Sequence, residues 1–303
     1  MREKVRFMSG GDECVAWFYP GMNGACVVMA GGFAVTKEPG TDAFAARFNA
    51  AGYAVLAFDY RRLGESGGSP RQVVRIRDQI ADWQAAIAFA RTQPGVDPRR
   101  IAVWGFSATG GLLFRVAARD PDLAAAVAQT PNADGPAASR NAARYQTPGA
   151  LLRFSGRALL DAAGALLGRP PRLVPLVGPP GTVALLTTPD AQDTDRALAA
   201  AEHPDWQPVV AVRSALRLGW FCPGRSARFV GVPLLVLVCD DDRSALAEPA
   251  VRAASQAPRG ELVRLPGGHY APFLEAHEAA VAAELDFLDR HLVRSASAPL
   301  VGA

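Results

Sequence analysis

The chain alternates between two patterns of apolar and polar positions. Short, uninterrupted apolar runs such as 25–30 (ACVVMA) and 53–60 (YAVLAFDY) are bounded by glycine or polar residues and predict buried strands. Between such runs lie segments with helical spacing, of which 72–91 is the most amphipathic. This alternation predicts a mostly parallel sheet with helices on both faces. The predicted elements are a hairpin at 3–19, strands at 25–30, 53–60, 100–105, 123–129, 233–239 and 260–265, and helices at 41–51, 72–91, 108–119, 246–256 and 274–292.

Residues 132–228 break this rhythm. Ala- and Leu-rich helical stretches at 150–167, 195–201 and 208–218 surround a Pro- and Gly-rich loop at 168–181. An insertion of this size after the sixth strand predicts a helical lid over the carboxyl ends of the strands, where α/β sheets bind ligands. We therefore expect a core at 1–131 and 229–294, a lid at 132–228 and a loose tail at 295–303.

Composition narrows the class of protein. With 303 residues, half of them apolar and 20% charged, the chain can bury a substantial core. A net charge of +3 without clustering argues against nucleic-acid binding. The absence of an apolar leader or membrane-length apolar run predicts a cytoplasmic protein that does not bind membranes. Four cysteines without CxxC spacing give no metal site, and we expect no cofactor.

Candidate nucleophilic chemistry lies at 101–111 (IAVWGFSATGG). A predicted strand runs into Ser107 and then into a helix, and a sharp turn of this kind exposes a serine hydroxyl between small neighbours. It also places the Ala108 N–H at a helix start, where it could stabilise an oxyanion. Thr109 replaces the second glycine of G-x-S-x-G. The motif alone therefore leaves open a serine that merely caps a helix.

A serine nucleophile needs a base and an orienting acid. His269 lies in a Gly-rich loop between the last predicted strand and helix, whereas His203, His277 and His291 fall in the lid or the final helix. The run 240–242 (DDD) follows the preceding strand and supplies candidate acids. The chain order Ser, acid, His is that of serine hydrolases on α/β sheets.

Five segments, in this order, resemble landmarks of the α/β-hydrolase superfamily, in its bacterial branch of dienelactone-hydrolase-like or prolyl-dipeptidyl-peptidase-like serine hydrolases. They are VVMAGGF (27–33), VLAFDYRRLGESGGSP (55–70), VWGFSATGG (103–111), PLLVLVCDDD (233–242) and LPGGHYAPF (265–273). The resemblance covers almost the whole chain. It implies the α/β-hydrolase fold, with a mostly parallel eight-stranded sheet, and a Ser-His-Asp triad.

The resemblance also implies individual roles. Asp242 takes the place of the acid, with Asp240 as the alternative, and the backbone N–H groups of Phe33 and Ala108 form the oxyanion hole. The chain departs from the branch's pattern at three places: Gly31 replaces a histidine, Ala108-Thr109 replaces Phe followed by Ser or Gly, and Leu246 replaces a proline.

The lid supplies aliphatic and aromatic side chains, which predicts a small hydrophobic substrate. The expected contacts are Phe106, Trp206, Trp220, Phe221 and Tyr270. The function predicted first is hydrolysis of a carboxylic ester or thioester with a bulky hydrophobic acyl or aryl group. Acyl transfer or cyclisation in a biosynthetic pathway, and a non-catalytic binding protein, are the alternatives. The sequence leaves a homodimer open.

Overall fold

The computed structural model describes residues 2–293, so the predicted tail at 295–303 lies outside the described residues. Its main feature is an eight-stranded sheet, and this confirms the predicted fold class. The strands of this sheet, in spatial order, are β1 (Glu3–Ser9), β2 (Asp12–Tyr19), β4 (Ala54–Phe58), β3 (Cys26–Ala30), β5 (Ile101–Phe106), β6 (Ala125–Gln129), β9 (Leu234–Cys239) and β10 (Gly260–Leu265).

The strand register places several loops at one edge of this sheet. The hairpin β1–β2 is antiparallel, and all strands from β4 to β10 in the spatial order run parallel. Ala30 at the end of β3 pairs with Gly105 of β5, and Phe106 pairs with Gln129 of β6. Because parallel strands end on the same side, the loops after β3, β5, β6, β9 and β10 converge there.

Helices cover both faces of the sheet. They are α1 (Thr41–Ala50), α2 (Ile76–Ala90), α3 (Ser107–Ala117), α8 (Ala247–Gln256) and α9 (His277–Leu288). The helices α1 and α9 pack together on one face, and α2 and α3 pack together on the other. The strands between them are buried along their whole length, which explains their unbroken apolar runs.

The insertion between β6 and β9 is mostly helical but also contains two short strands. It comprises α4 (Gly135–Ala143), α5 (Pro148–Leu166), β7 (Leu173–Pro175), α6 (Thr194–Ala197), β8 (Val209–Ala211) and α7 (Arg213–Leu218), with 3₁₀ turns at Pro189–Asp193, Ala200–Glu202 and Pro223–Phe229. The expected helix at 208–218 is therefore wrong over its first residues, because β8 pairs with β7. Its valines are β-branched, which favours a strand.

The buried Asp161 carboxylate stabilises this part of the insertion. It accepts hydrogen bonds from the backbone N–H groups of Arg172 (2.8 Å) and Arg213 (3.0 Å), and so joins α5 to the segments that carry β7 and α7. Within residues 2–293, no helix combines the length and apolarity that crossing a membrane requires.

Candidate active site

The turn from β5 into α3 holds Ser107 in a strained backbone conformation, with φ of +57°. A positive φ is uncommon for a residue with a side chain and marks a position that the surrounding structure enforces. The neighbours must be small: a Cβ on Gly105 would lie 2.5 Å from Thr109 Cγ2, and one on Gly110 would lie 2.9 Å from the Gly105 carbonyl oxygen. The chain thus uses glycine on both sides of the turn while tolerating threonine at 109.

Ser107, His269 and Asp242 form a continuous hydrogen-bonded chain. The Ser107 Oγ lies 2.9 Å from His269 Nε2, and His269 Nδ1 lies 2.7 Å from Asp242 Oδ2. The histidine and aspartate side chains are each 1% exposed, whereas Ser107 is half-buried. The three residues follow β5, β10 and β9, so convergence of the strand ends brings them together.

The loop after β9 distinguishes between the aspartates of the 240–242 run. Asp242 Oδ1 accepts hydrogen bonds from the backbone N–H groups of Ser244 (2.8 Å) and Ala245 (2.6 Å), which leaves Oδ2 for the imidazole. Asp240 instead forms a half-exposed ion pair with Arg264. Asp241 is exposed. The structure therefore places Asp242, and neither of its neighbours, against His269.

Two carboxylates control the protonation of His269. Burial opposes the charged imidazolium, but the charges of Asp242 and Asp190 and the hydrogen bond to Asp242 outweigh it, so the pKa of His269 is raised above its ordinary value. The neutral imidazole that can accept a proton from Ser107 is thus formed only as the pH rises through this elevated pKa.

The loop after β3 lies beside the serine turn. The Thr109 hydroxyl donates a hydrogen bond to the Gly31 carbonyl oxygen (2.6 Å), which ties α3 to this loop. Phe33 is half-buried in the same loop, and Ala108 lies in the first turn of α3, where backbone N–H groups lack intrahelical acceptors. The Thr109–Gly31 hydrogen bond therefore holds the loop that carries Phe33 against the first turn of α3, which carries Ser107 and Ala108.

The five residues expected to contact substrate have different environments. Tyr270 packs edge-to-face on the His269 ring at 4.9 Å, and Trp206 Nε1 donates to the Ala34 carbonyl oxygen (3.1 Å), so both lie near the site. Phe106 instead belongs to the core, because its ring packs beneath Gly32 and against Phe273.

The remaining two lie on the insertion. The guanidinium of Arg115 stands 4.9 Å from the Phe221 ring centre. Trp220 is 82% exposed and lines an open groove of the insertion, to which Phe154 also contributes. The Trp220 ring therefore faces solvent instead of the serine. Its hydrophobicity alone could not predict which way the ring would face.

A cavity of about 220 Å³ lies within the insertion and reaches the loop after β9. Its wall is formed mainly by small and apolar side chains from α4, α5, α7 and the segment 184–188, and Phe154 is its largest member. Asn132 and Ser244 also line it. The Asn132 N–H donates to the Ser107 carbonyl oxygen (2.9 Å), and Ser244 binds Asp242, so the cavity adjoins the loops that carry the triad.

Asp190, in the 3₁₀ turn of the insertion, was not among the predicted site residues. Its carboxylate accepts hydrogen bonds from the backbone N–H groups of Arg243 (2.7 Å) and His269 (3.3 Å). Asp190 lies outside the five segments that resemble the family, and nothing in the spacing around it pointed to this carboxylate. Within residues 2–293, no group of three or more His, Cys, Asp or Glu side chains is arranged to hold a metal ion.

Comparison with known proteins gives independent evidence on family. A model described as "Alpha/beta hydrolase family" matches residues 27–284. The chain is 39% identical over 292 residues to the quorum-quenching protein AidA of Acinetobacter baumannii (strain MDR-ZJ06), covering 94% of both chains. It is 32% identical over 182 residues to the polyketide transferase ATR5 of Stachybotrys chlorohalonatus (strain IBT 40285), covering 59% of this chain and 58% of that protein.

A solved structure has the same fold over nearly the whole chain. The crystal structure of the alpha/beta hydrolase GrgF from Penicillium sp. sh18 superposes with a TM-score of 0.80 at 24% identity, covering 96% of this chain and 99% of that one. At this level of identity the likeness concerns the fold alone.

Proposed function

The chain belongs to the alpha/beta hydrolase family, and from this premise we propose that it acts on a carboxylic ester or thioester through an acyl-enzyme on Ser107. The observation that carries the proposal is the hydrogen-bonded chain from Ser107 through His269 to the buried Asp242. A nucleophile in contact with a base, which is itself oriented by an acid, is the arrangement that acyl transfer requires.

In the first step, Ser107 Oγ attacks the carbonyl carbon of the substrate while its proton passes to His269 Nε2. Asp242 accepts a hydrogen bond from the Nδ1–H group of His269 and thereby fixes the tautomer in which Nε2 is free to act as base. The backbone contacts of Asp242 Oδ1 hold this carboxylate in place, so the base does not have to be reoriented during the reaction.

The negative charge that develops on the carbonyl oxygen is stabilised by the Phe33 and Ala108 N–H groups. Support for this assignment comes from their position on the two segments joined by the Thr109–Gly31 hydrogen bond. Backbone donors that are already oriented cost no rearrangement when the charge appears.

Collapse of this intermediate breaks the bond to the alcohol or thiol, which departs with the proton held by His269. A water molecule then attacks the acyl group on Ser107, giving up its proton to the same nitrogen. The carboxylic acid leaves as Ser107 Oγ recovers that proton, and the enzyme returns to its starting state.

We assign the acyl or aryl group to the cavity within the insertion, with residues 132–228 as a cap that encloses it beside the triad loops. The cavity wall is predominantly apolar, and its largest side chain, Phe154, comes from the cap helix α5. Each methylene group buried there should contribute roughly 0.8 kcal/mol, or about fourfold in kcat/KM. These features support a preference for hydrophobic, uncharged acyl groups.

A second candidate function is transfer of the acyl group to an alcohol instead of water. It is favoured by the similarity to a protein named a polyketide transferase, whereas the longer similarity is to a protein named for quorum quenching. Both reactions share the acyl-enzyme. Product analysis of one ester with and without an added alcohol separates them. If the enzyme hydrolyses, the free acid remains the same fraction of the product when the alcohol is added. If it transfers the acyl group, a new ester forms with the added alcohol.

The test of the first function is a series of p-nitrophenyl esters from acetyl to longer alkyl and aryl acyl groups. We expect kcat/KM to rise with the apolar size of the acyl group until the cavity is filled. Ser107→Ala should lose activity by several powers of ten, because it removes the nucleophile. Equal or faster turnover of the acetyl ester would show that the cavity does not bind the acyl group. Full activity of Ser107→Ala would show that the reaction does not proceed through an acyl-enzyme on Ser107.

A further inference from the structure

Asp190 is a carboxylate of the insertion that reaches into the loops of the triad. It lies in the 3₁₀ turn Pro189–Asp193. Its Oδ2 accepts hydrogen bonds from the backbone N–H groups of Arg243 (2.7 Å), Ser244 (3.2 Å) and His269 (3.3 Å), and its Oδ1 accepts one from Ser244 Oγ (2.8 Å). One side chain thus bridges three segments that are distant in sequence.

The bridge connects the two loops whose relative position determines the triad. The loop after β9 carries Asp242 immediately before Arg243 and Ser244, and the loop after β10 carries His269. The second loop approaches so closely that a Cβ on Gly268 would lie 3.1 Å from Asp190 Cβ. A change in Asp190 therefore alters the support of both catalytic side chains together.

The hydrogen-bond partners of this carboxylate carry no formal charge. They are neutral N–H and hydroxyl groups, and no cation within residues 2–293 forms an ion pair with it. The N–H groups and the nearby His269 nevertheless outweigh burial and hold the pKa of Asp190 below its ordinary value, so it stays ionised. The negative charge acts on the imidazole through a protein interior, where screening is weak.

We propose that Asp190 is a positioning residue of the triad: it braces the Asp242 and His269 loops through the cap, and its charge favours the imidazolium that forms when Ser107 loses its proton. This inference rests on the proposed acyl-enzyme function. It gives residues 132–228 a second role besides enclosing the substrate, since the cap would then supply part of the framework of the catalytic machinery.

The same network reaches the cavity. Thr188 and Ser244 both line the cavity, and their hydroxyl oxygens lie 2.6 Å apart. The Thr188 hydroxyl also forms a hydrogen bond that lowers the pKa of Asp190, so Thr188, Ser244 and Asp190 form one hydrogen-bonded group. An acyl group that fills the cavity therefore presses against side chains that hold Asp190, so substrate occupancy and triad geometry are physically connected.

The charged groups around His269 allow a test based on pH. Asp242 and Asp190 raise the pKa of the imidazole. The other titratable groups in this region are the buried Tyr270 phenol, the Cys239 thiol, the Asp240–Arg264 ion pair, and the Asp195, Arg243 and Glu275 side chains. Burial raises the pKa of Tyr270 and of Cys239, so both are neutral near pH 7 and leave the aspartates to dominate.

Asp190→Asn removes the charge and preserves the shape. Its amide oxygen can accept from the Arg243, Ser244 and His269 N–H groups, while its NH₂ group can donate to Ser244 Oγ, which accepts as readily as it donates. We expect the acid limb of kcat/KM to move to lower pH in Asp190→Asn, with less than about a tenfold loss at the plateau, smaller than the full contribution of a general base.

Asp190→Ala removes the brace as well. We expect the same displacement of the acid limb together with about a 10²-fold loss of kcat, the scale that misplaced catalytic groups produce. Asp193→Asn is the matched control, because Asp193 lies in the same 3₁₀ turn and forms a surface ion pair with the exposed Arg196. Asp193→Asn should leave both the acid limb and the plateau of the kcat/KM profile unchanged.

An acid limb that stays in place in folded Asp190→Asn and Asp190→Ala, with the melting temperature showing that both are folded, would overturn the inference. That outcome would leave the proposed function intact as long as Ser107→Ala is inactive. Conversely, an active Ser107→Ala would overturn the function itself, whatever the pH profiles show.

Discussion

Thr109 shows how one departure from the family pattern is accommodated. A hydrogen-bonded chain runs from Trp83 Nε1 to the Tyr60 hydroxyl (2.7 Å), from there to Thr109 Oγ1 (3.0 Å), and on to the Gly31 carbonyl oxygen (2.6 Å). The four residues are buried. Gly31 itself must lack a side chain, because a Cβ there would lie 2.7 Å from the Thr36 carbonyl oxygen. Threonine and glycine thus fit each other at this site.

We expect Thr109→Val to damage both stability and turnover. Valine matches threonine in shape but leaves the Gly31 carbonyl oxygen and the Tyr60 hydroxyl without their partner, which should cost about 1–3 kcal/mol. Loosening of the loop that carries Phe33 should lower kcat more than it raises KM. Thr109→Ser keeps the hydroxyl and is the control; urea unfolding and steady-state kinetics of the pair measure the effect. Equal kinetics of the two variants would contradict this role.

The three adjacent aspartates at 240–242 allow the assignment of the acid to be tested by comparing their asparagine variants. Asp242→Asn should lower kcat by about 10⁴-fold with the fold intact, because an amide permits the wrong imidazole tautomer. Asp241→Asn and Asp240→Asn should be mild; the second loses only a surface ion pair with Arg264, a contribution of about 0–1 kcal/mol. Kinetics of the three variants under identical conditions decide the matter. A severe loss in Asp240→Asn alone would place the acid two residues earlier.

The sequence could predict some of these residues and not others. Ser107 and His269 lie at strand ends in an order that a parallel sheet brings together, so motif and topology suffice for them. The choice of Asp242 depended on family resemblance. Asp190 had no signal of its own, because its importance comes from contacts between segments far apart in the chain. Trp220 illustrates the opposite error, since a large apolar residue on an amphipathic insertion can face either way.

The packing of α9 against the sheet contains an unusual buried acid. Glu284 is fully buried, and its Oε2 accepts a hydrogen bond from Trp104 Nε1 of β5 at 3.0 Å. Its Oε1 has no hydrogen-bond partner among residues 2–293. Burial raises the pKa of this carboxyl well above its ordinary value. The folded protein therefore keeps a proton on Glu284 at pH values where the unfolded chain has lost it.

This acid should make the fold less stable as the pH rises. Above the unfolded pKa of about 4.3, unfolding releases the Glu284 proton, so this group lowers the free energy of unfolding by up to about 1.4 kcal/mol per pH unit until its folded pKa is reached. Glu284→Gln keeps the neutral shape and should abolish that slope, with a gain that is absent at pH 4 and largest at high pH. Denaturant unfolding from pH 4 to 9 measures it.

The exposed Glu278 on the same helix provides the control for that experiment. It pairs with Arg47 at the surface, and Glu278→Gln should leave the Glu284 slope in place. A slope that persists in Glu284→Gln would mean that the buried carboxyl is ionised in the folded state.

The cap helix α5 presents two distinct faces. Leu151 and Phe154 line the cavity, whereas Leu152 is 76% exposed. We expect Phe154→Ala to enlarge the cavity and shift the optimum of the acyl series toward longer chains, because the smaller side chain leaves space that only a larger substrate fills. Leu152→Ala, the matched control, should leave the optimum in place. An unchanged optimum in Phe154→Ala would locate the acyl group elsewhere.

Elements with a strong pattern were predictable, and short ones were not. The central strands β3, β4, β5 and β9 are continuously apolar because both faces of the sheet are covered there, so their apolar runs predicted them. The three-residue strands β7 and β8 are defined by their pairing with each other, which no local pattern shows. Similarly, the final helix begins at His277 instead of 274, because a 3₁₀ turn at Ala271–Phe273 precedes it.

Across the whole molecule, the convergence of strand ends brings Ser107, His269 and Asp242 together. In the proposed function, the three loops that carry them supply the nucleophile, base and acid, and the loop after β3 and the cap complete the surroundings. The cap contributes the apolar wall of the cavity and, through Asp190, a contact with both the acid and the base loops. On this account the cap and the core function as one catalytic unit.

The central claim is that Ser107 forms a covalent intermediate, and the most direct test is mass spectrometry of the protein after reaction with a fluorophosphonate. We predict a single adduct whose proteolytic fragments locate it on Ser107, its disappearance in Ser107→Ala, and its persistence in Ser139→Ala, which changes another serine beside the cavity. Formation of the adduct should also compete with the preferred hydrophobic ester. An adduct at another serine, or undiminished labelling of Ser107→Ala, would contradict the account.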